Sequence, residues 1–161
     1  MERRIVKLWY DPEGVYLEVL HPQPTLLEGT EDDFNNNAVV LRLVYGDASF
    51  LLSGDIEADG EAAILDAGHE VWASVLKVAH HGSDGATTQA FLDVVSPSIA
   101  VVSAGAGNSF GHPSPTLRLR LAGLPLLRTD LNGTVTFETD GTRLWLEYER
   151  GEVEVVEAAA R

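Results

Sequence analysis

The sequence contains no cysteine. Disulfides and thiolate metal sites are therefore excluded, and any metal has to be held by His, Asp or Glu. Positive charge is scarce too: 11 Lys and Arg stand against 25 Asp and Glu, a formal net charge of −14. Nucleic-acid binders draw affinity from Lys and Arg on phosphates, so a strong nonspecific grip on nucleic acid by this chain alone is not expected. No apolar run approaches the roughly 18–20 residues needed to span a bilayer. The longest runs, such as Ile99-Ala-Val-Val102, are strand-sized. The segment after Met1-Glu2-Arg3-Arg4 is interrupted by Lys7 and Asp11-Pro12, which does not read as a signal peptide. Internal repeats and low-complexity linkers are absent.

What is present fits one globular domain over residues 1–161. The chain is long enough for a sizeable core, and 45% of its residues are hydrophobic. Ile5–Trp9 and Val15–Leu20 are β-rich runs around Asp11-Pro-Glu-Gly14. A polar, turn-rich loop is expected over Pro22–Asn37, and long loops in compact domains are often functional. Val39–Tyr45 and Ser49–Ser53 flank Gly46-Asp47, a hairpin signal. Ile56, Gly60, Ala63, Ile64 and Ala67 then share a helical face, with Gly68 as a stop.

Val75–Ala79 and Ile99–Ser103 read as buried strands. Between them Thr87 or Thr88 caps a short helix carrying Phe91, Leu92, Val94 and Val95, ended by Pro97. Ser114-Pro115 opens another helix. Leu124–Leu127 reads as a strand, and Thr134–Glu138 and Arg143–Tyr148 form a second hairpin around Asp140-Gly141. Glu152–Ala160 reads as a frayed polar tail. The rhythm predicts an α/β fold with a mixed sheet.

Three of these strands end in polar residues: Gly54-Asp55, His80-His81-Gly82-Ser83, and Asn108 to His112-Pro113. Parallel neighbours would bring these ends into one crevice, where α/β sheets place ligands. Asp with imidazoles and no thiolate is a donor set suited to zinc or manganese. Each motif alone has an ordinary reading. Gly-Asp after a strand often caps a helix, a histidine pair can be satisfied core or loop, and Gly-His-Pro is commonly a turn. His69 reads as solvated surface, and His21 is open.

In combination the motifs say more. Phe50-Leu-Leu-Ser-Gly-Asp55, Val75-Leu-Lys-Val-Ala-His-His-Gly-Ser83, Val102-Ser-Ala-Gly-Ala-Gly-Asn-Ser-Phe-Gly-His-Pro113, Arg128-Thr-Asp130 and Asn132-Gly133 together resemble the ComEC competence-protein family. Asn35-Asn-Asn-Ala-Val-Val-Leu41 is similar to that family's Asn-rich entry to the strand before Gly-Asp, with Ala38 where the family usually has Ser. The resemblance implies half of an αββα metallo-β-lactamase sandwich, a mixed sheet with helices on one face. It implies Asp55 and His81 as metal ligands, and His80, His112 and Asn108 as catalytic neighbours contacting substrate or moving protons. Lys77, earlier on its strand, reads as packing or an ion pair.

The same resemblance implies a divalent metal, zinc or manganese, and a metal-dependent phosphodiesterase acting on DNA in the intact parent. That parent would be a bacterial inner-membrane protein with this as an extracytoplasmic soluble domain. The fold family supplies most ligands from a His-x-His-x-Asp-His motif, or a variant with Asp at the second ligand, in the first half of the domain, and this sequence has neither. The expectation is therefore the carboxy-terminal half of the domain. It would hold metal weakly alone, partner the missing half-domain and membrane domains, and be prone to homodimerise. Two alternatives stand beside it: a hydrolase of small esters, lactones or phosphorylcholine, and a non-catalytic assembly remnant.

Overall fold

The computed structural model describes residues 6–10, 12, 14–151 and 154–157. A seven-stranded sheet runs in chain order: β1 (Val6–Tyr10), β2 (Tyr16–His21), β3 (Val40–Tyr45), β4 (Ala48–Leu52), β5 (Val75–Lys77), β6 (Ile99–Val102) and β7 (Leu126–Arg128). Its first four strands pair antiparallel and β4 to β7 pair parallel. A smaller antiparallel sheet holds β8 (Val135–Thr139), β9 (Arg143–Tyr148) and β10 (Glu154–Glu157), with β9 central. The expectation of a frayed tail after residue 152 is corrected here. Glu154–Glu157 pairs with Arg143–Leu146, because β9 otherwise leaves an edge of unpaired backbone groups that a β-branched Val155-Val156 segment can satisfy.

The parallel half is made by crossover helices α1 (Ala58–Asp66), α2 (Gln89–Val95) and α3 (Pro115–Arg120). Each starts near the place the sequence predicts. Thr88 caps α2 by accepting from Phe91 N–H, and Ser114 caps α3 by accepting from Leu117 N–H, with Pro115 in the first turn. The predicted α1 face is largely real, since Ile56, Gly60 and Ile64 are buried. In α2 the pattern is looser than expected: Val94 faces solvent.

Alternation along the parallel strands divides the core in two. Leu51, Leu76, Ala100 and Val102 pack against Ile64, Phe91, Val95 and Leu117 from the helices. Burying a side chain such as Leu51 or Phe91 stabilises the fold by roughly 1.5–3 kcal/mol. Residues of opposite parity face the small sheet, with Ala48 and Val75 against Leu144, and Ile99 and Leu127 against Leu146. Phe50 meets Phe137 edge-on, ring centroids 5.8 Å apart. This is half of an αββα sandwich, with α1 to α3 on one face. The two hairpin turns also dock, Asp47 N–H donating to the Gly141 carbonyl. A Cβ at Gly46 would sit 2.4 Å from that carbonyl oxygen, so the contact requires glycine.

The loop between β2 and β3 is braced by its asparagines. Asn36 accepts from Gly60 N–H of α1, and its carbonyl accepts from buried His21 Nε2 at 2.8 Å. Asn37 accepts from Leu27 N–H and donates to the carbonyls of Leu27 and Asp33. The Asn-rich entry to β3 is thus a structural clamp on the loop. His69, expected to be solvated, is half-buried, and its charge would oppose protonation of His21.

Candidate metal centre

Register places the site. Leu52 pairs with Lys77 and Lys77 with Val101, so β4, β5 and β6 finish side by side. The segments leaving them are those carrying Asp55, His80-His81 and Ser103 to His112. The predicted convergence is present. His81 Nε2 lies 3.8 Å from Asp55 Oδ1, both side chains about half exposed. The His80 ring centroid is 6.4 Å from that of His81 and 5.9 Å from that of His112.

The backbone pays to aim these rings. His80 and His81 have φ of 45° and 52°, consecutive left-handed residues followed by Gly82 at 88°. Such conformations cost of order 1–3 kcal/mol each for a residue with a side chain. The surroundings hold them: His80 N–H donates to the Gly54 carbonyl at 3.1 Å, and Ser83 N–H to the His80 carbonyl at 2.9 Å. Gly82 is pressed against the next site segment, where a Cβ would meet Pro113 at 2.6 Å and Leu117 at 2.9 Å.

Hydrogen bonding fixes the tautomer of His81. Its Nδ1 is 2.8 Å from the Ser103 carbonyl, which only accepts. Nδ1 therefore carries the proton in the neutral ring, and Nε2 keeps its lone pair on the side of Asp55. A backbone carbonyl behind the ring is the usual support of a metal-binding imidazole. Two donors each about 2.1 Å from one ion at a tetrahedral angle stand roughly 3.4 Å apart, close to the spacing found. The pair fits two corners of a divalent-metal site. Among the described residues no group of three or more His, Cys, Asp or Glu is arranged to hold a metal.

The neighbours have distinct roles in the geometry. Asn108 turns inward on its own loop, donating to the carbonyls of Gly105 and His112 and accepting from His112 N–H. It shapes the turn that presents His112. The His112 ring stacks on the exposed ring of Phe110, centroids 5.8 Å apart. Burial lowers its proton affinity from the ordinary value, helped by His80 and His81 and opposed by Asp84. Lys77 donates from Nζ to the Gly54 carbonyl at 3.1 Å. Burial lowers its pKa while Asp55 pulls it up. The Arg128-Thr-Asp130 motif is a brace: Arg128 and Asp130 form a two-pronged ion pair, and Thr129 exchanges hydrogen bonds with Ala104 N–H and C=O just past Ser103.

Sequence reasoning missed Glu57 and Glu61. Glu57 Oε1 is 2.8 Å from His80 Nδ1. Glu61, 1% exposed, accepts from the backbone N–H groups of Thr87 and Thr88 and so ties α1 to the loop after the histidines. Burial raises its pKa, against those hydrogen bonds and the charge of Arg120. Both glutamates sit near the helical pattern of α1, where acidic residues read as solvated first-turn groups. Beside Asp55 an open groove of about 760 Å³ runs along the β2–β3 loop, lined by Leu26, Phe34, Val39, Glu28 and Asp33 with no Lys or Arg.

The ends of parallel strands that deliver one carboxylate and paired imidazoles, with helices on one face of the sheet and a second sheet on the other, define the class: half of an αββα sandwich. No family model matches the chain. Individual relatives do. It is 38% identical over 128 residues to Competence protein ComA of Neisseria gonorrhoeae, covering 78% of this chain and 18% of that protein. It is 38% identical over 105 residues to ComE operon protein 3 of Bacillus subtilis, covering 64% and 14%. It is 31% identical over 109 residues to Recombination protein 2 of Haemophilus influenzae, covering 68% and 13%. The chain belongs to the ComEC family of competence proteins. It matches less than a fifth of the length of these relatives. No helix among the described residues is long and apolar enough to cross a membrane.

Proposed function

We propose that this chain is a soluble portion of a DNA-uptake protein, carrying the Asp55–His81 part of a zinc or manganese site. In the intact protein that site serves a phosphodiesterase acting on DNA. The observation that supports this reading is the approach of Asp55 Oδ1 to His81 Nε2, 3.8 Å, with the tautomer of His81 set by Ser103. The remaining metal donors come from polypeptide outside this chain, the other half of the domain, and the membrane domains of the same protein adjoin it on the extracytoplasmic side. The ion is therefore weakly held here.

When bound, a divalent ion supplies Lewis acidity toward a phosphate oxygen and a lowered pKa for water. Asp55 and His81 hold it. His80 and His112 line the approach to it, His112 contacting a phosphate oxygen from the loop that Asn108 closes. The exposed ring of Phe110 shields one face of His112. With a net charge of −14, the chain gains little from phosphate neutralisation, so placement of the strand falls to the metal and to the absent half.

Cleavage of a single-stranded oligonucleotide in manganese, compared for the wild type, Asp55→Ala and His81→Ala, tests the reading. Weak activity lost in both variants supports it. Activity equal in all three removes it. The acidic, apolar groove beside Asp55 favours a second reading, hydrolysis of a small ester, lactone or phosphorylcholine compound, which small-ester turnover without DNA cleavage would establish.

A further inference from the structure

Glu57 occupies the N-cap position of α1, where a carboxylate ordinarily accepts from the helix's own free N–H groups and meets the positive end of its dipole. It does neither through a hydrogen bond. Its side chain makes no capping bond, and Oε1 lies instead 2.8 Å from Nδ1 of His80. His80 is in turn held in a left-handed conformation, φ 45°, that its side chain disfavours. Two local preferences are thus set aside to form one contact: the helix gives up a cap and the backbone accepts strain. Both side chains are mostly buried, 20% and 25% exposed, so the contact is sheltered from competing water.

From this we infer that Glu57 is a positioning residue that locks His80 as a hydrogen-bond acceptor in the cleft. A carboxylate accepts only, so in the neutral imidazole the proton sits on Nδ1. The far edge of the ring then presents Nε2 as a lone pair. Together with His81, whose Nδ1 donates to Ser103, the site offers two imidazoles with the same tautomer from consecutive residues. One is backed by a charge and the other by a neutral carbonyl. His80 in this form cannot donate to a phosphate oxygen. It takes a hydrogen bond from water or a hydroxyl group instead, which leaves phosphate contact to His112.

The inference deepens the site proposed above, but its test does not require activity. Long-range proton–nitrogen NMR spectra of the whole chain, recorded where imidazoles are neutral, identify the tautomer of each ring. His80 is expected as the Nδ1–H form. Glu57→Gln, whose amide oxygen still accepts, keeps that form. Glu57→Ala and Glu57→Asp, which remove or withdraw the oxygen, move His80 toward the Nε2–H form. His81 stays unchanged in every variant and serves as the internal standard for folding. Wild-type His80 found as the Nε2–H form, or unmoved in Glu57→Ala and Glu57→Asp alike, overturns the inference. Loss of cleavage in the assay above bears only on the metal reading, and the tautomer result stands apart from it.

Discussion

Glu61 allows the coupling between scaffold and site to be measured. It is fully buried on α1, and its two oxygens accept from Thr87 and Thr88 N–H in the loop that follows the paired histidines. Glu61→Ala removes both acceptors and leaves two backbone donors unsatisfied. At about 1–3 kcal/mol for each stranded group, with part of the cost offset by relief of a desolvated carboxylate, the expected loss is about 3–4 kcal/mol. Glu61→Gln keeps one acceptor and is expected to lose about half as much. Urea unfolding followed by fluorescence gives both values from the shift in midpoint at constant slope. For a domain of this size the larger loss corresponds to about 6–16 °C in Tm. The pKa of Glu61 is raised by burial. The native state therefore binds its proton more readily than the unfolded chain does. Its contribution is fully present below the unfolded value of 4.5 and is lost as pH rises through the folded value. Glu61→Gln is expected to remove that decline. A loss under about 1 kcal/mol in Glu61→Ala refutes the argument that this carboxylate anchors the loop.

Other expectations follow from single contacts. Burial lowers the pKa of His21 below 6.5, so its contribution is present above 6.5 and lost as pH falls through the folded value. His21→Gln, which retains a donor for the Asn36 carbonyl, should flatten the stability profile of the wild type below that pH. Gly82→Ala forces a methyl group against Pro113 and Leu117 at a φ of 88°. Overpacking and strain together should cost about 2–4 kcal/mol, read from thermal unfolding. Val39, just before β3, and Leu52, at the end of β4, are exposed, and exposed apolar surface of this kind favours association. Size-exclusion chromatography with light scattering should show a dimer, and a clean monomer at high concentration would oppose this.

The site was more legible in the sequence than its supports were. Asp55, His80, His81 and His112 follow runs with strand character, and a parallel arrangement is enough to gather them; the register of β4, β5 and β6 does so. Local patterning also placed the cap of α3 at Ser114 and narrowed that of α2 to Thr87 or Thr88, of which the structure uses Thr88, because an N-cap is a signal confined to four residues. Long-range contacts made by side chains away from the strand ends were not legible. Nothing local distinguishes Glu57 and Glu61 from solvated acids at the start of a helix, and each finds its partner more than 20 residues away. Asn108 illustrates the reverse: its place in a polar loop suggests a site residue, while its amide is occupied with Gly105 and His112. The tail after β9 read as frayed because four residues of strand carry too little pattern to reveal the edge they pair with.

Calorimetric titration of the chain with zinc, repeated with manganese, tests most directly whether Asp55 and His81 share an ion. The account predicts weak binding of one or both metals in the wild type, abolished by Asp55→Ala and by His81→Ala and retained in His21→Gln. Binding of equal strength in all four proteins, or none in the wild type, would contradict it.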